Sequence, residues 1–317
     1  MTLHLLVTGA TGFVGRAVCE QAARHGFSVK GALRVSRAVP SYVEPVVVGE
    51  INGATDWGGS LRDVNAVVHL AARVHVMRDT EADPISLFRA VNVEGTLNLA
   101  RQAVENGVKR FVFISSVKVN GECTQSGRPF TEVDVFDPTD AYGKSKHEAE
   151  EGLRQIGLDS GMEVVIIRPP LVYGPGAKAN FAALMHSVQR GMPLPLGAVH
   201  NQRSLVALDN LVDFIITCVT HTQAANQTFF VSDDCDLSTT ELVRGLARAA
   251  GVSAHLLPVP VWALQAGATL LGKGDAVQRL CGNLQVNISK ARSLLGWKPP
   301  ISVDEGLRRA VAGTVEK

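Results

Sequence analysis

Short apolar runs alternate with longer segments of helical periodicity along the first half of the chain. In segments such as 84–106 and 141–155, apolar residues recur every three or four positions, which is typical of helices that bury one face. The short runs are almost continuously apolar, as expected for strands of a parallel sheet covered on both faces. The pattern therefore predicts an α/β fold with a doubly wound parallel sheet. The predicted strands are LHLLVT, FSVKGAL, EPVVVG, AVVHLAA, RFVFISS and EVVIIRPP.

The pattern loosens after Pro169, where the predicted elements are shorter and mostly helical. Asp209 is predicted to cap one of these helices, because its carboxylate can accept a hydrogen bond from a free amide of the first turn. The predicted elements are helices at 180–190, 209–220, 239–250, 261–271 and 303–311 and strands at 204–207 and 227–231.

This change of pattern predicts two domains. Residues 1–168 would form the sheet domain, and the chain would return to it at 206–231. Residues 169–205 and 232–317 would form a smaller, mostly helical C-terminal lobe that binds the substrate.

Composition excludes several classes of partner. The 317 residues include 31 lysines and arginines against 30 aspartates and glutamates, so we expect no nucleic acid and no membrane partner. The five cysteines are scattered without the spacing of a zinc site or a disulfide framework, which favours a cytoplasmic location and predicts no metal. No basic segment precedes the first apolar run and no apolar stretch could span a bilayer, so neither a signal peptide nor a membrane helix is expected.

The segment GATGFVG at 9–15 places three glycines three residues apart, between the first predicted strand and a helix. Glycines in such a turn let the backbone approach a diphosphate and aim amide groups at it from the helix N-terminus. The spacing differs by one residue from the usual dinucleotide fingerprint, and a tight turn without a ligand is the alternative. We therefore predict a dinucleotide site on a Rossmann-type sheet. The contact residues predicted in this loop are Gly9, Thr11, Gly12, Phe13, Val14 and Gly15.

The second predicted strand ends in GALRVSR, where the choice between NAD(H) and NADP(H) is expected. Dinucleotide sites for NAD place an acidic residue near this point to accept hydrogen bonds from the adenosine ribose. Leu33 stands about where that acid would be, and Arg34 and Arg37 follow with charge suited to a 2′-phosphate. NADP(H) is therefore slightly favoured over NAD(H). The alternative is that both arginines are solvated loop residues.

Tyr142 and Lys146 of AYGKSK lie one turn apart on a predicted helix and so share a face. Such a pair alone is usually a surface contact, but RFVFISS ends in two hydroxyls at the carboxyl edge of the sheet, where ligands collect. A phenol is a poor base near neutral pH, although a nearby ammonium and an oxidised nicotinamide both stabilise its phenolate. We therefore predict that Tyr142 transfers a proton, that Lys146 supports it electrostatically and that Ser116 orients the reacting oxygen.

These motifs together resemble the extended short-chain dehydrogenase/reductase family, and especially its nucleotide-sugar branch, which is typified by UDP-galactose 4-epimerase. The resemblance runs almost end to end. It implies hydride transfer at C4 of a UDP-sugar, and it implies a homodimer. The motifs that carry it are TGATGFVG at 8–15, HLAA at 69–72, NVEGTLNL at 92–99, SSVKVNGE at 115–122, YGKSK at 142–146 and RPPLVYGPG at 168–176.

The resemblance also assigns individual residues. It makes Tyr142 the catalytic acid/base, Lys146 a ligand of the nicotinamide ribose and Ser116 the hydrogen-bond partner of the sugar C4 oxygen. Further cofactor contacts that it implies are Glu50, Ile51, Leu70, Ala71, Ala72, Asn92, Ser115 and Pro169. The contacts with the UDP-sugar that it implies are Asn180, Arg203 and Arg279.

Some positions depart from the family pattern or suggest other chemistry. Val117 and Lys118 stand where members that eliminate water carry an acidic pair, so a 4,6-dehydratase is disfavoured. Lys118 would face either the sugar or solvent. His69 and His75 suggest a metal site, but we expect His69 to be a strand residue with a satisfied ring, because no carboxylate or cysteine shares ligand spacing with it.

Two enzymatic functions would use the same residues. The first is a UDP-sugar 4-epimerase of UDP-glucose or UDP-GlcNAc type, which oxidises C4 and reduces it again on the opposite face. The alternative is an NADPH-dependent reductase of a 4-keto-6-deoxy UDP-N-acetylhexosamine, which Leu33 and Arg34 favour. A lesser alternative is a non-catalytic dinucleotide-sensing protein, which is disfavoured because the chain keeps both Tyr142 and Lys146.

Overall fold

A parallel sheet forms the centre of the protein. The computed structural model describes residues 2–74, 84–270, 272 and 274–313. The strands are β1 (His4–Thr8), β2 (Ser28–Leu33), β3 (Val43–Val47), β4 (Ala66–His69), β5 (Arg110–Ile114), β6 (Glu163–Arg168), β7 (Leu171–Tyr173), β8 (Leu205–Ala207) and β9 (Thr228–Phe230). Seven of them form one sheet in the order β3-β2-β1-β4-β5-β6-β9, and every neighbouring pair is parallel.

Helices connect the strands and form the C-terminal part of the chain. They are α1 (Phe13–Arg24), α2 (Gly58–Leu61), α3 (Pro84–Arg89), α4 (Thr96–Glu105), α5 (Ala141–Ser160), α6 (Ala179–Gln189), α7 (Leu208–Thr220), α8 (Thr239–Ala250), α9 (Val261–Leu270), α10 (Gly274–Cys281), α11 (Ser289–Leu295) and α12 (Val303–Ala312). A π-helical segment, Ala90–Gly95, joins α3 to α4. Within the described ranges, no helix has both the length and the apolarity needed to cross a bilayer.

The strands at the centre of the large sheet are buried on both faces, which explains why β1, β4 and β5 are mostly apolar. Successive residues of a strand point to opposite faces. In β1, Leu5 and Val7 pack in one core with residues of α1 and α7, whereas Leu6 packs in a second core with residues of α4 and α5. The predicted α/β fold with a doubly wound parallel sheet is confirmed.

The strand order reverses at β1. From β1 the chain moves outward to β2 and β3, and it then returns to the other side of β1 with β4, β5 and β6. Connections that leave a sheet in opposite directions open a crevice at the carboxyl ends of the strands where they diverge. The loops after β1 and β4 therefore border the position at which ligands bind in such sheets.

A separate small core lies in the C-terminal part of the chain. Strands β7 and β8 pair in parallel outside the large sheet, and the buried ring of Tyr173 packs with Phe181, Leu242 and Leu307 from three helices. The hydroxyl of Tyr173 donates a hydrogen bond to Asp233 at 2.7 Å. A buried phenol needs such a partner, so this bond stabilises the position of β7.

Two details of the predicted elements differ from the structure. Asp209 does not cap α7: Ala207 is the N-cap, and Asp209 lies in the first turn, where it pairs with Arg309 at 2.7 Å. The strand predicted at 204–207 belongs to the β7–β8 pair and not to the large sheet. The chain returns to that sheet only through β9, which pairs with β6, and through α7, which packs on α1.

Candidate active site

The loop between β1 and α1 is shaped by its glycines. Gly9 has φ +68°, and a Cβ at this position would lie 3.1 Å from the backbone nitrogen of Ala71. A Cβ on Gly15 would overlap the carbonyl oxygen of Gly9, because the first turn of α1 lies directly on the loop. Gly12 is the N-cap of α1, and no side chain caps that end of the helix. The loop thus leaves backbone amides available to an anion. The other residues predicted to contact the cofactor here are half-buried: Thr11, Phe13 and Val14.

Thr8, the last residue of β1, holds the loop that follows β4. Its hydroxyl oxygen accepts hydrogen bonds from the amides of Leu70 and Ala71, both at 3.1 Å, and lies 2.7 Å from Nδ1 of His69. The Nε2 atom of His69 lies 2.9 Å from the hydroxyl of Thr96. Burial lowers the pKa of His69 to about 3, so the ring is neutral at neutral pH. Both of its nitrogens have hydroxyl partners.

His69 is therefore a strand residue with a satisfied ring, as expected. His75 lies outside the described residues. In the part of the chain that the structure describes, no three histidines, cysteines or carboxylates come together in a group that could hold a metal ion. Leu70, Ala71 and Ala72 are half-buried next to the glycine loop, so the structure brings these predicted cofactor contacts together with Gly9.

The end of β2 carries no acidic side chain. Leu33, the last residue of this strand, is 2% exposed, whereas Arg34 and Arg37 are exposed. Glu50 is also exposed, and Ile51 is half-buried and packs closely on the π-helical segment. The structure thus leaves two cations beside the strand end and no carboxylate on the last residue of the strand.

Asp140 starts helix α5, which carries the predicted acid/base. Its carboxylate accepts a hydrogen bond from the amide of Gly143 at 2.6 Å, as an N-cap does. Tyr142 follows and is half-buried, with its ring edge-on to Phe88 of α3 at a centroid distance of 6.3 Å. None of the described residues forms a hydrogen bond with the phenol oxygen of Tyr142. That oxygen is therefore available to a ligand.

Lys146 lies one turn further along α5 and is 2% exposed. Its Nζ donates a hydrogen bond to the carbonyl oxygen of Ile114 at 2.8 Å and lies 4.3 Å from the ring centroid of Phe113. Burial lowers the pKa of Lys146 to about 7, and the negative charge of Glu150 opposes this shift. The lysine therefore changes its charge near neutral pH, and an anionic ligand would favour its charged form.

The pKa of Tyr142 shifts in the direction opposite to the prediction. We expected the charge of Lys146 to make the phenol more acidic. In the structure, burial raises the pKa of Tyr142, and the negative charge of Asp140 raises it further. A desolvated phenolate is unfavourable, so the protein alone keeps Tyr142 protonated at neutral pH.

The two serines after β5 have different partners. Ser115 is buried, and its hydroxyl donates to Glu150 at 2.5 Å. Glu150 also forms a fully buried salt bridge with Arg168, so Ser115 is part of an internal polar network. The hydroxyl oxygen of the half-buried Ser116 accepts one long hydrogen bond, 3.3 Å, from the amide of Lys118. Ser116 is therefore the serine that can still donate to a ligand.

Asn92 and Pro169 form hydrogen bonds with the backbone around α5, the helix that carries Tyr142. Asn92 lies in the π-helical segment and is 1% exposed. Its side chain accepts from the amide of Arg73 at 2.8 Å and donates to the carbonyl of Arg73 at 3.0 Å and to the hydroxyl of Ser145 at 2.9 Å. The carbonyl of Pro169 accepts from the amide of Val117 at 3.0 Å. Their predicted contact with a cofactor stays a prediction.

Lys118 has partners that the sequence did not identify. Its Nζ forms an ion pair with Asp140 and lies 3.1 Å from Oε1 of Glu122. Two carboxylates therefore hold its ammonium, and its side chain is 29% exposed. The spacing of four residues between Lys118 and Glu122 is a local signal for a pair. The contact with Asp140 joins positions 22 residues apart, and no local pattern indicates it.

The residues predicted to bind the sugar are in the C-terminal lobe. Asn180 at the start of α6 and Arg279 in α10 are exposed. Arg203 is half-buried, and its guanidinium donates to the carbonyl of Gly282 at 3.0 Å, just after α10 ends. Burial lowers the pKa of Arg203. The structure thus links Arg203 to the segment that follows Arg279, whereas Asn180 is on another helix.

Comparisons relate the chain to known proteins. The model of the NAD dependent epimerase/dehydratase family matches residues 5–231. A UDP-glucose 4-epimerase of Vibrio cholerae is 51% identical over 313 residues, which are 98% of this chain and 94% of that protein. An N-acetyl-alpha-D-glucosaminyl-diphospho-ditrans,octacis-undecaprenol 4-epimerase of Escherichia coli O157:H7 is 29% identical over 98% of this chain and 95% of that protein.

A solved structure also matches the whole chain. The UDP-N-acetylglucosamine 4-epimerase of Bacillus cereus has a TM-score of 0.80 at 22% identity, with 100% of this chain and 98% of that one covered. At this identity the likeness supports the fold alone.

Proposed function

Because the chain belongs to the NAD-dependent epimerase/dehydratase family, we propose that it is a UDP-sugar 4-epimerase of UDP-glucose or UDP-GlcNAc type. Its substrate would be a UDP-hexose or a UDP-N-acetylhexosamine. The observation that carries this proposal is the 51% identity to a UDP-glucose 4-epimerase over 98% of the chain. The arrangement of Tyr142, Lys146 and Ser116 around the carboxyl end of β5 supports it.

The residues around the glycine loop fit a nicotinamide dinucleotide. Gly9 and Gly15 leave no room for side chains, and α1 begins without a capping side chain. When bound, this cofactor supplies a hydride acceptor and donor. We assign the diphosphate to the loop from Gly9 to Gly15 and the nicotinamide ribose to Lys146. The remaining contacts are assigned to Arg34, Glu50, Ile51, Leu70, Ala71, Ala72, Asn92, Ser115 and Pro169.

Tyr142 would act as the acid/base of the reaction. As a phenolate it would take the proton of the C4 hydroxyl when C4 is oxidised, and as a phenol it would return that proton when C4 is reduced. The hydroxyl of Ser116 donates a hydrogen bond to the C4 oxygen and orients it. Lys146, with a pKa of about 7, supports the phenolate whenever its amine is protonated. The apolar ring of Phe88 excludes water from one side of the phenol.

The C-terminal lobe would hold the UDP part of the substrate. A diphosphate is best bound by planar cationic donors. We assign Arg203 and Arg279 to the diphosphate, and Asn180 to a hydrogen bond with the same group. Arg203 is already held in place by the carbonyl of Gly282, so it loses less freedom on binding than a solvated arginine would.

A second candidate function is favoured by one observation. Leu33 is buried at the end of β2, and the exposed Arg34 follows it. These residues suit the 2′-phosphate of NADP(H), which we propose the site can accept. A chain that takes up NADPH would instead reduce a 4-keto-6-deoxy UDP-N-acetylhexosamine, with Tyr142 as the proton donor.

One experiment separates these functions. The purified protein is denatured, and the released nucleotide is identified by chromatography. The native protein is then assayed with UDP-glucose, with UDP-GlcNAc, and with a 4-keto-6-deoxy UDP-sugar plus NADPH. Tightly held NAD and interconversion of the C4 epimers would support the epimerase. NADPH consumption with the 4-keto sugar would support the reductase, and no turnover of any of the three would contradict both.

We also propose that the protein acts as a cytoplasmic homodimer. The family resemblance suggests that α5 and the helices from α3 to α4 form the dimer contact. Light scattering of the purified protein tests the oligomeric state, and a mass of one chain would contradict a dimer.

A further inference from the structure

We propose that Lys118 is a positioning residue for the acid/base: through the carboxylate of Asp140 it holds the start of α5 and sets the electrostatic surroundings of Tyr142. This inference rests on the proposed function. It concerns a residue outside the glycine loop and outside the pair formed by Tyr142 and Lys146.

Lys118 contacts the start of α5 in two ways. Its ammonium pairs with Asp140, which is the N-cap and binds the amide of Gly143 through its other oxygen. Its backbone carbonyl also lies against the helix, because a Cβ on Gly143 would be only 2.7 Å from that oxygen. The 3₁₀ turn Val117–Val119 is therefore attached to α5, the helix that carries Tyr142. The relative placement of Ser116 and Tyr142 depends on this junction.

The ion pair also affects the electrostatic potential at the phenol of Tyr142. Asp140 precedes Tyr142 by two residues, and its negative charge raises the pKa of Tyr142. The ammonium of Lys118 lies on that carboxylate and offsets its field. The side chains of Lys118 and Asp140 are 29% and 23% exposed, so the pair is only partly screened by water. Glu122 shares the ammonium and weakens the offset.

Other charged groups lie on α5 and on the elements that pack around Tyr142. Lys144 and Lys146 share its helix, and Arg89 of α3 is paired with Glu148 of α5. The guanidinium of Arg73 lies 5.9 Å from the ring centroid of Phe88, which contacts Tyr142. Lys118 differs from these groups because an ion pair joins it directly to the N-cap of α5.

The test is the pH dependence of kcat in four variants of the full chain, with the sugar that the wild type converts. Lys118→Met removes the ammonium that pairs with the carboxylate of Asp140, so the apparent pKa of the base should rise by roughly half a unit or more. The rate near neutral pH should then fall about threefold and recover at higher pH. Lys118→Arg should restore the wild-type profile.

Asp140→Asn and Lys144→Met complete the design. Asparagine keeps the N-cap and removes the charge, so Asp140→Asn should shift the profile in the opposite direction. Lys144→Met removes an equal charge from an exposed position on α5 and should leave the profile unchanged. A loss of kcat by the same factor at every pH in Lys118→Met would overturn the inference, because a purely structural role has that effect.

Hydrogen exchange at the amide of Gly143 provides a readout that does not need activity. Lys118→Met should make this amide exchange several-fold faster, since its acceptor Asp140 is no longer held, and Lys144→Met should not. Unchanged exchange in Lys118→Met would contradict the positioning role. If the wild type converts no sugar but exchange does accelerate, the proposed function fails while the positioning of Asp140 by Lys118 stands.

Discussion

Nζ of Lys146 donates a hydrogen bond to the carbonyl oxygen of Ile114 at 2.8 Å, which joins the helix of Tyr142 to the last residue of β5. Lys146 is buried in this position, and burial lowers its pKa to about 7. We expect Lys146→Met to lower kcat by about 10²–10⁴-fold, because a charge that supports the phenolate is lost. Stopped assays with UDP-glucose measure the effect. Equal rates in variant and wild type would remove Lys146 from the mechanism.

Tyr142→Phe removes one hydroxyl and keeps the ring that packs on Phe88. Turnover should fall by about 10²–10⁴-fold, since no other group is placed to take the C4 proton. The affinity for UDP-glucose, measured by calorimetry, should stay within a few-fold. Tyr42→Phe is the matched control, because Tyr42 is 41% exposed and is not among the residues assigned to the cofactor or the sugar. Full activity in Tyr142→Phe would contradict the proposed mechanism.

Arg34→Ala tests the preference for NADP(H). The affinity for NADPH should fall about tenfold or more, because a charge-assisted hydrogen bond to the 2′-phosphate is lost, while the affinity for NADH should change little. Fluorescence titration with both nucleotides measures the two dissociation constants. Arg101→Ala, at another exposed arginine, is the control. A similar loss for both nucleotides would show that Arg34 does not recognise the phosphate.

His69 makes the stability depend on acid pH. The ordinary pKa of a histidine is 6.5 and that of His69 in the folded protein is about 3, so between these limits the unfolded chain binds one more proton than the folded chain. The free energy of unfolding should therefore fall by about 1.4 kcal/mol for each unit that the pH drops through this range. His69→Asn should be less stable throughout but should lack this part of the slope. Urea unfolding at several pH values gives the comparison, and parallel curves would exclude the effect.

Gly15→Ala should destabilise the protein by roughly 1–3 kcal/mol, because the added methyl group overlaps the carbonyl of Gly9 and α1 must move. Gly267→Ala is the control. Gly267 lies inside α9 with open space around it, so alanine there should raise the stability by up to about 1 kcal/mol. Urea unfolding of nucleotide-free protein measures both, and an unchanged midpoint in Gly15→Ala would show that the loop tolerates a side chain.

Much of the fold could be predicted because its signals are local. The almost continuous apolar runs indicated strands buried on both faces, and the structure places all six predicted runs as neighbours in the large sheet. The strand predicted at 204–207 was expected near the return to the large sheet, whereas β8 pairs with β7. A run of three apolar residues carries no information about its partner. Asp209 was taken for a cap because a capping residue and a first-turn acid look alike in a sequence.

The chain by itself determined the α/β architecture, the glycine loop, and the spacing that puts Tyr142 and Lys146 on one helix face, because periodicity and short covalent distances decide each of these. Only the tertiary structure decided that Ser115 turns to Glu150, that Lys118 pairs with Asp140, and that burial raises the pKa of Tyr142. These features depend on groups that are distant along the chain and on the loss of water around them, and neither is written in a local pattern.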